Sequence, residues 1–404
     1  MNVDVCIVGG GPAGMVLGYL LGRAGISVAV LEGHDDFDRD FRGDTLHAGV
    51  MDIFGEIGIA EQLLELPHQK ITEFKIGGVT LMDFSRLKAD HPFLTMMAQS
   101  TFLDRMAQLA SQFPNFHGEM GAMVKELVRD ETSGRITGVR YRKNGIPVEV
   151  NAKLVIGCDG RGSRIRREAS MEAKPVTDPI DVLWFRLPRF AHDPSSLATG
   201  ALGGGRTPFI LLERPDHYQI AVVIAHGGFQ KLRKEGLTAF HERIREVSPE
   251  LYDRAVTQLD AWNKMAFLAV TGSRVETWHA PGLLLIGDAA HVMTPIGGVG
   301  INYAIWDAVE AANVIVPAMR AGSEPDLAEI QRRRLRPTKI MQAFQRIAAR
   351  RILQPAAAEE EVRFKLPWIA RVAMRTPWLR DFPGKLIALG LKRTRVEFDF
   401  EQSS

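Results

Sequence analysis

Short apolar runs, several of them ending in turns rich in glycine, form the main hydrophobic pattern of this chain. Residues 3–8 read Val-Asp-Val-Cys-Ile-Val, residues 28–31 read Val-Ala-Val-Leu, and residues 283–286 read Leu-Leu-Leu-Ile. Continuous apolar runs of this length are typical of parallel strands that are covered on both faces. The pattern therefore predicts an α/β fold with a buried parallel sheet.

The first run is followed at once by a glycine-rich turn and a helix, a Rossmann-like arrangement. Gly9 permits a tight turn, Gly11 lets a pyrophosphate approach the backbone, and Gly14 lets the helix pack closely on the strand. Glu32 ends the second run at about the twenty-residue spacing expected of an acid that binds ribose hydroxyls. The predicted nucleotide-binding residues of this unit are Gly9, Gly11, Pro12, Ala13, Gly14 and Glu32.

Two further turns combine aspartate with glycine at the ends of apolar runs. One spans residues 158–164 and reads Cys-Asp-Gly-Arg-Gly-Ser-Arg, and the other begins at Gly287 and continues through Pro295 to Asn302. A lone glycine fingerprint would indicate only some dinucleotide. Three such turns predict one ligand that spans the whole domain, and we expect that ligand to be FAD.

The chain has no internal repeat and no low-complexity linker, which favours domains that interleave along the sequence. Residues 71–84 read as a hairpin that leaves the nucleotide-binding domain, and residues 178–269 contain runs typical of strands. We predict a discontinuous FAD-binding domain, a strand-rich substrate domain and C-terminal helices. Their predicted bounds are 1–70, 97–177 and 270–345 for the first, 71–96 and 178–269 for the second, and 346–404 for the third. Candidate walls of the substrate site are Trp184, Phe209, Tyr218 and Trp262, although alternation does not say which strand face points inward.

Composition narrows the class of protein further. A chain of 404 residues with 46% hydrophobic content and a net charge of +2 has room for two or three domains and predicts no nucleic-acid partner. Its two cysteines, Cys6 and Cys158, give no framework for disulfides or a metal, so we expect a cytoplasmic location and no metal site. The chain opens directly on the first strand and has no apolar run of membrane-spanning length, so we expect neither signal peptide nor membrane span. The basic stretch 332–395 is interpreted as packed helices with solvated faces, the alternative being a membrane-surface segment.

Together these motifs resemble those of the class A FAD-dependent aromatic monooxygenases, the family of para-hydroxybenzoate hydroxylase. The resemblance covers nearly the whole chain, and its most specific part is the order of Asp159-Gly160 and Gly287-Asp288. Residues 42–47, which read Arg-Gly-Asp-Thr-Leu-His, and Gln99 match positions that contact FAD in that family. Val299 departs from the commonest pattern, in which many relatives carry glutamine.

The resemblance implies that Asp288 binds the ribityl chain and that residues 298–302 present backbone N–H groups to the pyrimidine edge of the flavin. Such dipoles at a helix N-terminus stabilise the negative charge that develops there on reduction. Pro295 and His47 are implied as residues near the flavin ring, and no catalytic acid or base is assigned. The cofactor-binding residues that the resemblance adds are Arg42, Gln99, Asp159, Arg164, Asp288, Pro295, Gly298, Gly300, Ile301 and Asn302.

Two of these assignments have structural alternatives, and His291, which is not assigned to the site, has two possible roles. Asp288 could act only as a helix N-cap. Arg164 could clamp a phosphate of the nicotinamide cofactor, but with Arg166 and Arg167 it also fits a solvated helix face. His291 fits a loop anchor better than a catalytic base.

The resemblance implies an FAD-dependent, NAD(P)H-consuming monooxygenase that hydroxylates an aromatic or conjugated small molecule through a flavin C4a-hydroperoxide. The chain has no second glycine fingerprint, so NADH or NADPH must bind transiently in a surface groove. Two alternatives stay open: a flavoprotein reductase or dehydrogenase without oxygen insertion, and a non-enzymatic flavin-binding redox sensor. Molecular oxygen and the small substrate are the other expected partners, with no nucleic acid, no membrane contact, and a monomer or homodimer.

Overall fold

The computed structural model describes residues 1–38, 45–76, 79–193, 200–202, 209–214, 216–357 and 377–400. Its strands are β1 Asn2–Val8, β2 Val28–Leu31, β3 Thr45–Leu46, β4 Gln69–Ile71, β5 Glu73–Ile76, β6 Val79–Asp83, β7 Leu94–Met96, β8 Phe116–Glu119, β9 Met123–Arg129, β10 Ile136–Lys143, β11 Ile146–Gly157, β12 Ala173–Pro175, β13 Ile180–Pro188, β14 Gly200–Leu202, β15 Phe209–Glu213, β16 His217–Ala225, β17 Ala266–Val270, β18 Ser273–Val275, β19 His279–Ala280, β20 Leu283–Leu285 and β21 His291–Val292. Its α-helices are α1 Pro12–Arg23, α2 Ala48–Glu56, α3 Ala60–Leu64, α4 Gln99–Ala110, α5 Arg164–Glu168, α6 Gly228–Glu235, α7 Leu237–Val247, α8 Tyr252–Gln258, α9 Gly300–Arg320, α10 Leu327–Ala357 and α11 Pro377–Leu389.

The nucleotide-binding motif belongs to a sheet with the strand order β19-β20-β11-β1-β2-β8, which β10 and β9 extend from β11. The pairs β20–β11, β11–β1, β1–β2 and β2–β8 are parallel. In β1, Val5 and Ile7 pack into one hydrophobic core and Cys6 and Val8 into another on the opposite face. Burial on both faces explains the continuous apolar run in the sequence.

The register of this sheet places the three glycine-containing turns side by side. Val8, the last residue of β1, pairs with Gly157, the last residue of β11. Gly157 in turn pairs with Leu285, the last residue of β20. All three turns therefore begin at one row of the sheet, at the carboxyl ends of neighbouring parallel strands.

A second sheet has the order β17-β13-β16-β15-β14-β5-β6. Along β13, Leu183, Phe185 and Leu187 pack against a core that also contains residues of α6, α7 and α8. The alternate residues, Ile180, Val182 and Trp184, line a large cavity. The sheet thus separates a helix-covered face from a face that is open to the cavity, and the predicted α/β class with a second strand-rich sheet is confirmed.

Some elements cross the predicted domain bounds, which remain a prediction. Helix α10 runs without a break through the bound between residues 345 and 346. Strand β7 pairs with β3 on one side and β4 on the other in a small separate sheet, instead of joining the second sheet. Residues 390–400 are not helical, unlike the rest of the predicted C-terminal segment that the structure describes. The backbone of this tail is held by α9, since Asn313 Nδ2 donates to the Arg395 carbonyl oxygen at 2.8 Å.

Candidate functional site

The glycines of the first turn differ in what surrounds them. Gly9 has φ of +105°, and a Cβ atom there would lie 2.5 Å from the Cys158 carbonyl oxygen. A Cβ atom on Gly14 would lie 1.9 Å from the Gly9 carbonyl oxygen, whereas one on Gly11 would meet nothing within 4 Å. Gly9 and Gly14 are therefore required by the packing of the chain on itself, and Gly11 leaves the backbone open to a ligand.

A continuous cavity of about 740 Å³ extends from this turn to the face of the second sheet. It passes the turn after β11 and the loop before α9. The predicted site residues that line it are Gly9, Gly11, Pro12, Ala13, Glu32, Gln99, Asp159, Arg164, Asp288, Pro295, Gly298, Gly300 and Ile301. The cavity lining does not include Gly14, His47 or Asn302. Arg42 is outside the described residues.

Glu32 ties the second strand to the first turn. Its Oε2 accepts a hydrogen bond from the Gly10 backbone N–H at 2.8 Å, and its Oε1 accepts one from the His34 N–H at 3.1 Å. The side chain is mostly buried and borders the cavity. A carboxylate therefore stands at the end of the cavity where the sequence predicts the ribose.

The carboxylate of Asp159 is engaged by its own turn. It accepts hydrogen bonds from the backbone N–H groups of Arg164 at 2.6 Å and Ile165 at 3.0 Å, and from the Ser163 hydroxyl. The guanidinium of Arg164 donates to the Lys125 carbonyl oxygen and pairs with Glu168. Asp159 thus shapes the turn, whose Gly160 and Gly162 leave open space where a Cβ atom would be.

Arg166 has a role that the sequence analysis missed. Its guanidinium donates to the Ala289 carbonyl oxygen at 3.0 Å and to the Arg161 carbonyl oxygen at 2.8 Å. It therefore joins the second motif to the third, and the interpretation as part of a solvated basic face is wrong for this residue. The spacing of the basic residues in the sequence does not indicate these contacts of Arg166.

Asp307 on α9 is the centre of a buried ionic network under the third motif. Its Oδ2 accepts hydrogen bonds from His291 Nε2 at 2.6 Å and from the Gly287 backbone N–H at 3.0 Å. Its Oδ1 accepts one from Arg334 Nε at 2.6 Å. Burial raises the pKa of this carboxyl, but the charges of His291 and Arg334 outweigh burial and hold the pKa at about 2. The network fixes the backbone next to Asp288, and His291 lies in it as a loop anchor.

The loop before α9 is held from both sides. Asn302 Oδ1 accepts a hydrogen bond from the His47 N–H at 2.7 Å, and its Nδ2 donates to the carbonyl oxygens of Thr45 and Gly298. The Gly298 N–H donates to the Pro295 carbonyl oxygen at 3.0 Å. The prediction that residues 298–302 all present N–H groups to a ligand is thus corrected at Gly298, whose N–H closes a turn. Gly300 and Ile301 begin α9, where N–H groups lack intrahelical acceptors.

Gln345 holds the same loop from α10, and nothing in the sequence indicated it. Its Oε1 accepts a hydrogen bond from the Thr294 N–H at 3.1 Å, and its Nε2 donates to the carbonyl oxygens of Thr294 and Ile296, each at 2.8 Å. The side chain is fully buried. The backbone on either side of Pro295 is therefore fixed before any ligand binds.

Among the described residues, no group of three or more His, Cys, Asp or Glu side chains could hold a metal ion. Within the same ranges, no helix combines the length and the apolar character needed to cross a membrane.

Comparisons with known proteins identify the family. The family described as "FAD binding domain" matches residues 2–345. The 6-methylpretetramide 4-monooxygenase of Streptomyces rimosus is 32% identical over 99% of this chain and 96% of that protein. Pentachlorophenol 4-monooxygenase of Sphingobium chlorophenolicum is 25% identical, over 81% of this chain and 61% of that protein. The chain belongs to the FAD-binding monooxygenase family.

Solved structures share the fold. P. aeruginosa PqsL in complex with 2-aminobenzoylacetate has a TM-score of 0.75, covering 89% of this chain and 99% of that chain at 19% identity. OxyS anhydrotetracycline hydroxylase from Streptomyces rimosus has a TM-score of 0.73, covering 97% of this chain and 77% of that chain at 22% identity. At these identities the likeness concerns the fold alone.

Membership of this family confirms several predictions made from the sequence. The protein is an FAD-dependent, NAD(P)H-consuming monooxygenase of aromatic or conjugated small molecules, and the reductase and redox-sensor alternatives are not supported. The cavity fits the cofactor, since Gly11, Gly160 and Gly162 leave the backbone bare along its length. The individual site residues remain predictions.

We expect Gly11→Ala and Gly14→Ala to fail in different ways. Gly11 has φ of −70° and an open surrounding, so its alanine variant should fold normally, while its FAD dissociation constant rises about tenfold or more because a methyl group enters the cavity. Gly14→Ala should lose about 3 kcal/mol or more of stability because no space exists for the methyl group. Circular dichroism and FAD titration of both variants check this. Normal FAD affinity in Gly11→Ala would show that Gly11 does not belong to the cofactor site.

Asp307→Asn should lower the free energy of unfolding by about 3 kcal/mol, because Arg334 loses its buried counter-charge and His291 and Gly287 lose a charged hydrogen-bond acceptor. It should also weaken FAD binding, since the backbone beside Asp288 loses its support. The matched control is Asp326→Asn, whose ion pair with Arg332 is exposed to solvent and should therefore contribute little to stability. Denaturant unfolding and FAD titration measure both effects, and equal results for the two variants would contradict the assigned role.

His47 predicts a pH dependence of stability. Its burial lowers the pKa from 6.5 to about 4, against a smaller opposite effect of its hydrogen bond to the Ile387 carbonyl oxygen. The unfolded state therefore binds a proton more readily, and stability falls as the pH drops from about 6.5 to about 4. Between pH 7 and pH 5, His47→Gln should lose about 2 kcal/mol less stability than the wild type. Unfolding at both values, with the exposed His117→Gln as control, tests this, and parallel losses in all three proteins would refute it.

Proposed function

We propose that this monooxygenase hydroxylates a flat, largely apolar aromatic compound of fused rings, bound between the loop before α9 and the open face of the second sheet. The observation that carries the proposal is the composition of that face. The side chains that it contributes to the cavity are mostly aliphatic or aromatic: Ile180, Val182, Trp184, Ile210, Leu212, Ala221, Val223, Leu268 and Val270. A broad apolar wall favours a ligand of large apolar area over a small polar one.

Related proteins support oxygen insertion into aromatic compounds. Two of the related proteins are a 6-methylpretetramide 4-monooxygenase and a pentachlorophenol 4-monooxygenase. The first relative is similar over nearly its whole length, so its activity bears most closely on the proposal.

When bound, FAD supplies the reduced ring that activates molecular oxygen for transfer to the substrate. The chain itself positions the flavin ring and the substrate and excludes water from them. The apolar sheet face keeps water from the reacting atoms. The N–H groups of Gly300 and Ile301, at the N-terminus of α9, favour negative charge nearby. Pro295 also lines the cavity, and Gln345 holds the backbone of its two neighbours, Thr294 and Ile296, by hydrogen bonds.

A cleft of about 460 Å³ adjoins the cavity, and we infer that it receives the nicotinamide cofactor transiently. Arg161 and Gly162 line both spaces, so a dinucleotide in the cleft would reach the cavity. Arg161 supplies a guanidinium that suits a phosphate. The cleft is more open to solvent than the cavity, which favours rapid exchange of a transient ligand.

The protein is further proposed to act in the cytoplasm as a monomer or homodimer without membrane or nucleic-acid contact, in keeping with its unpaired cysteines and near-neutral charge.

The function is tested by reducing the holoenzyme anaerobically with NADH or NADPH and then admitting ¹⁸O₂ in the presence of candidate substrates. The candidates are fused-ring phenols such as naphthols and hydroxyanthraquinones, with single-ring phenols for comparison. We expect a fused-ring product that carries one ¹⁸O atom and faster NAD(P)H oxidation with that substrate. Recovery of all the oxygen as hydrogen peroxide or water with every candidate would favour a reductase and contradict the proposal.

A further inference from the structure

The apolar sheet face contains one side-chain amide, that of Gln219. Strand β16 directs Gln219, Ala221 and Val223 into the cavity and Tyr218 and Ile220 into the opposite core. Gln219 is only 5% exposed. Within the described part of the sheet, the other side chains that line the cavity are aliphatic or aromatic, except for the thioether of Met82. A buried amide in such a wall is costly unless its polar atoms are paired.

Arg214 fixes the orientation of this amide. Gln219 Oε1 accepts two hydrogen bonds from the guanidinium, from Nε at 3.2 Å and from Nη2 at 2.8 Å. A guanidinium has only donors, so the atom that faces it must be the amide oxygen and not the nitrogen. Arg214 is itself 7% exposed and sits at the end of the β15–β16 hairpin, where its N–H donates to the His217 carbonyl oxygen.

The amide nitrogen of Gln219 is left facing the cavity. Within the described ranges, Nε2 donates to no protein acceptor. The Arg214 charge polarises the amide and strengthens its N–H groups as donors. The positive charge of Arg214 behind the amide therefore favours a ligand oxygen that carries negative or partial negative charge.

We propose that Gln219, held by Arg214, is a specificity-determining residue that donates a hydrogen bond to a ring carbonyl or phenolic oxygen of the substrate. The proposal rests on the proposed function, because it assumes that the fused-ring substrate lies against this sheet face. The hydrogen bond from Gln219 narrows the substrate class to fused-ring ketones and phenols. It also gives the substrate one preferred orientation on an otherwise apolar sheet face.

The experiment uses the holoenzyme and two ligands of nearly equal shape, 1-tetralone, which has a ring carbonyl, and tetralin, which lacks it. Dissociation constants come from the change that each ligand causes in the absorbance of the bound flavin. The measured quantity is the ratio of the tetralin constant to the tetralone constant. This ratio should fall about tenfold from the wild type to Gln219→Met and to Gln219→Glu, because both lose the donor.

The two variants distinguish loss of the hydrogen bond from a change in the shape of the site. Gln219→Glu keeps the shape and the contact with Arg214, whereas Gln219→Met keeps the length without any polar atom. The control is Ile210→Val, on the same wall, which should weaken both ligands alike and leave the ratio unchanged.

Ratios within twofold of the wild type in either Gln219 variant would overturn the inference. If a fused-ring product still carried ¹⁸O, the proposed function would stand without the inference about Gln219. Failure of both ligands to perturb the flavin of the wild type would count against the inference and the fused-ring substrate class together.

Discussion

The pairing of Val8 with Gly157 and of Gly157 with Leu285 is the constraint on which the site depends. It sets the carboxyl ends of three parallel strands in one row, although the strands are separated by more than a hundred residues of sequence. Ligands of open α/β sheets bind at this edge. A slip of the register would move a motif away from its neighbours and turn its side chains to the other face.

Close backbone packing and a few buried side chains then fix the turns relative to one another. The first turn meets the second where Gly9 approaches the Cys158 carbonyl oxygen. The second is joined to the third by Arg166, and the third is held from below by Asp307. Each of these contacts joins segments that are far apart in sequence, so the cofactor site is preorganised by tertiary packing and not by any single motif.

The sequence predicted those features that local chemistry determines. The first turn needs a glycine at position 9, where φ is +105°. The hairpin predicted for residues 71–84 forms as the antiparallel pair β5–β6. The sequence could not predict Asp307, Gln345 or Gln219, because a buried polar residue in a helix or strand shows its partner only when the fold brings the two together. Nor does alternation reveal which strand face is inward: of the candidate walls, Trp184 lines the cavity, while Phe209 and Tyr218 lie in the opposite core.

One cavity joins the three turns to the apolar sheet face, and we propose that the flavin lies in it between them. X-ray diffraction from crystals of the FAD complex would locate the cofactor. We expect density for the pyrophosphate against Gly11, for the ribityl chain beside Asp288, and for the ring between Pro295 and the second sheet. Density for the ring on the far side of the loop, away from Val182 and Ala221, would contradict this proposal.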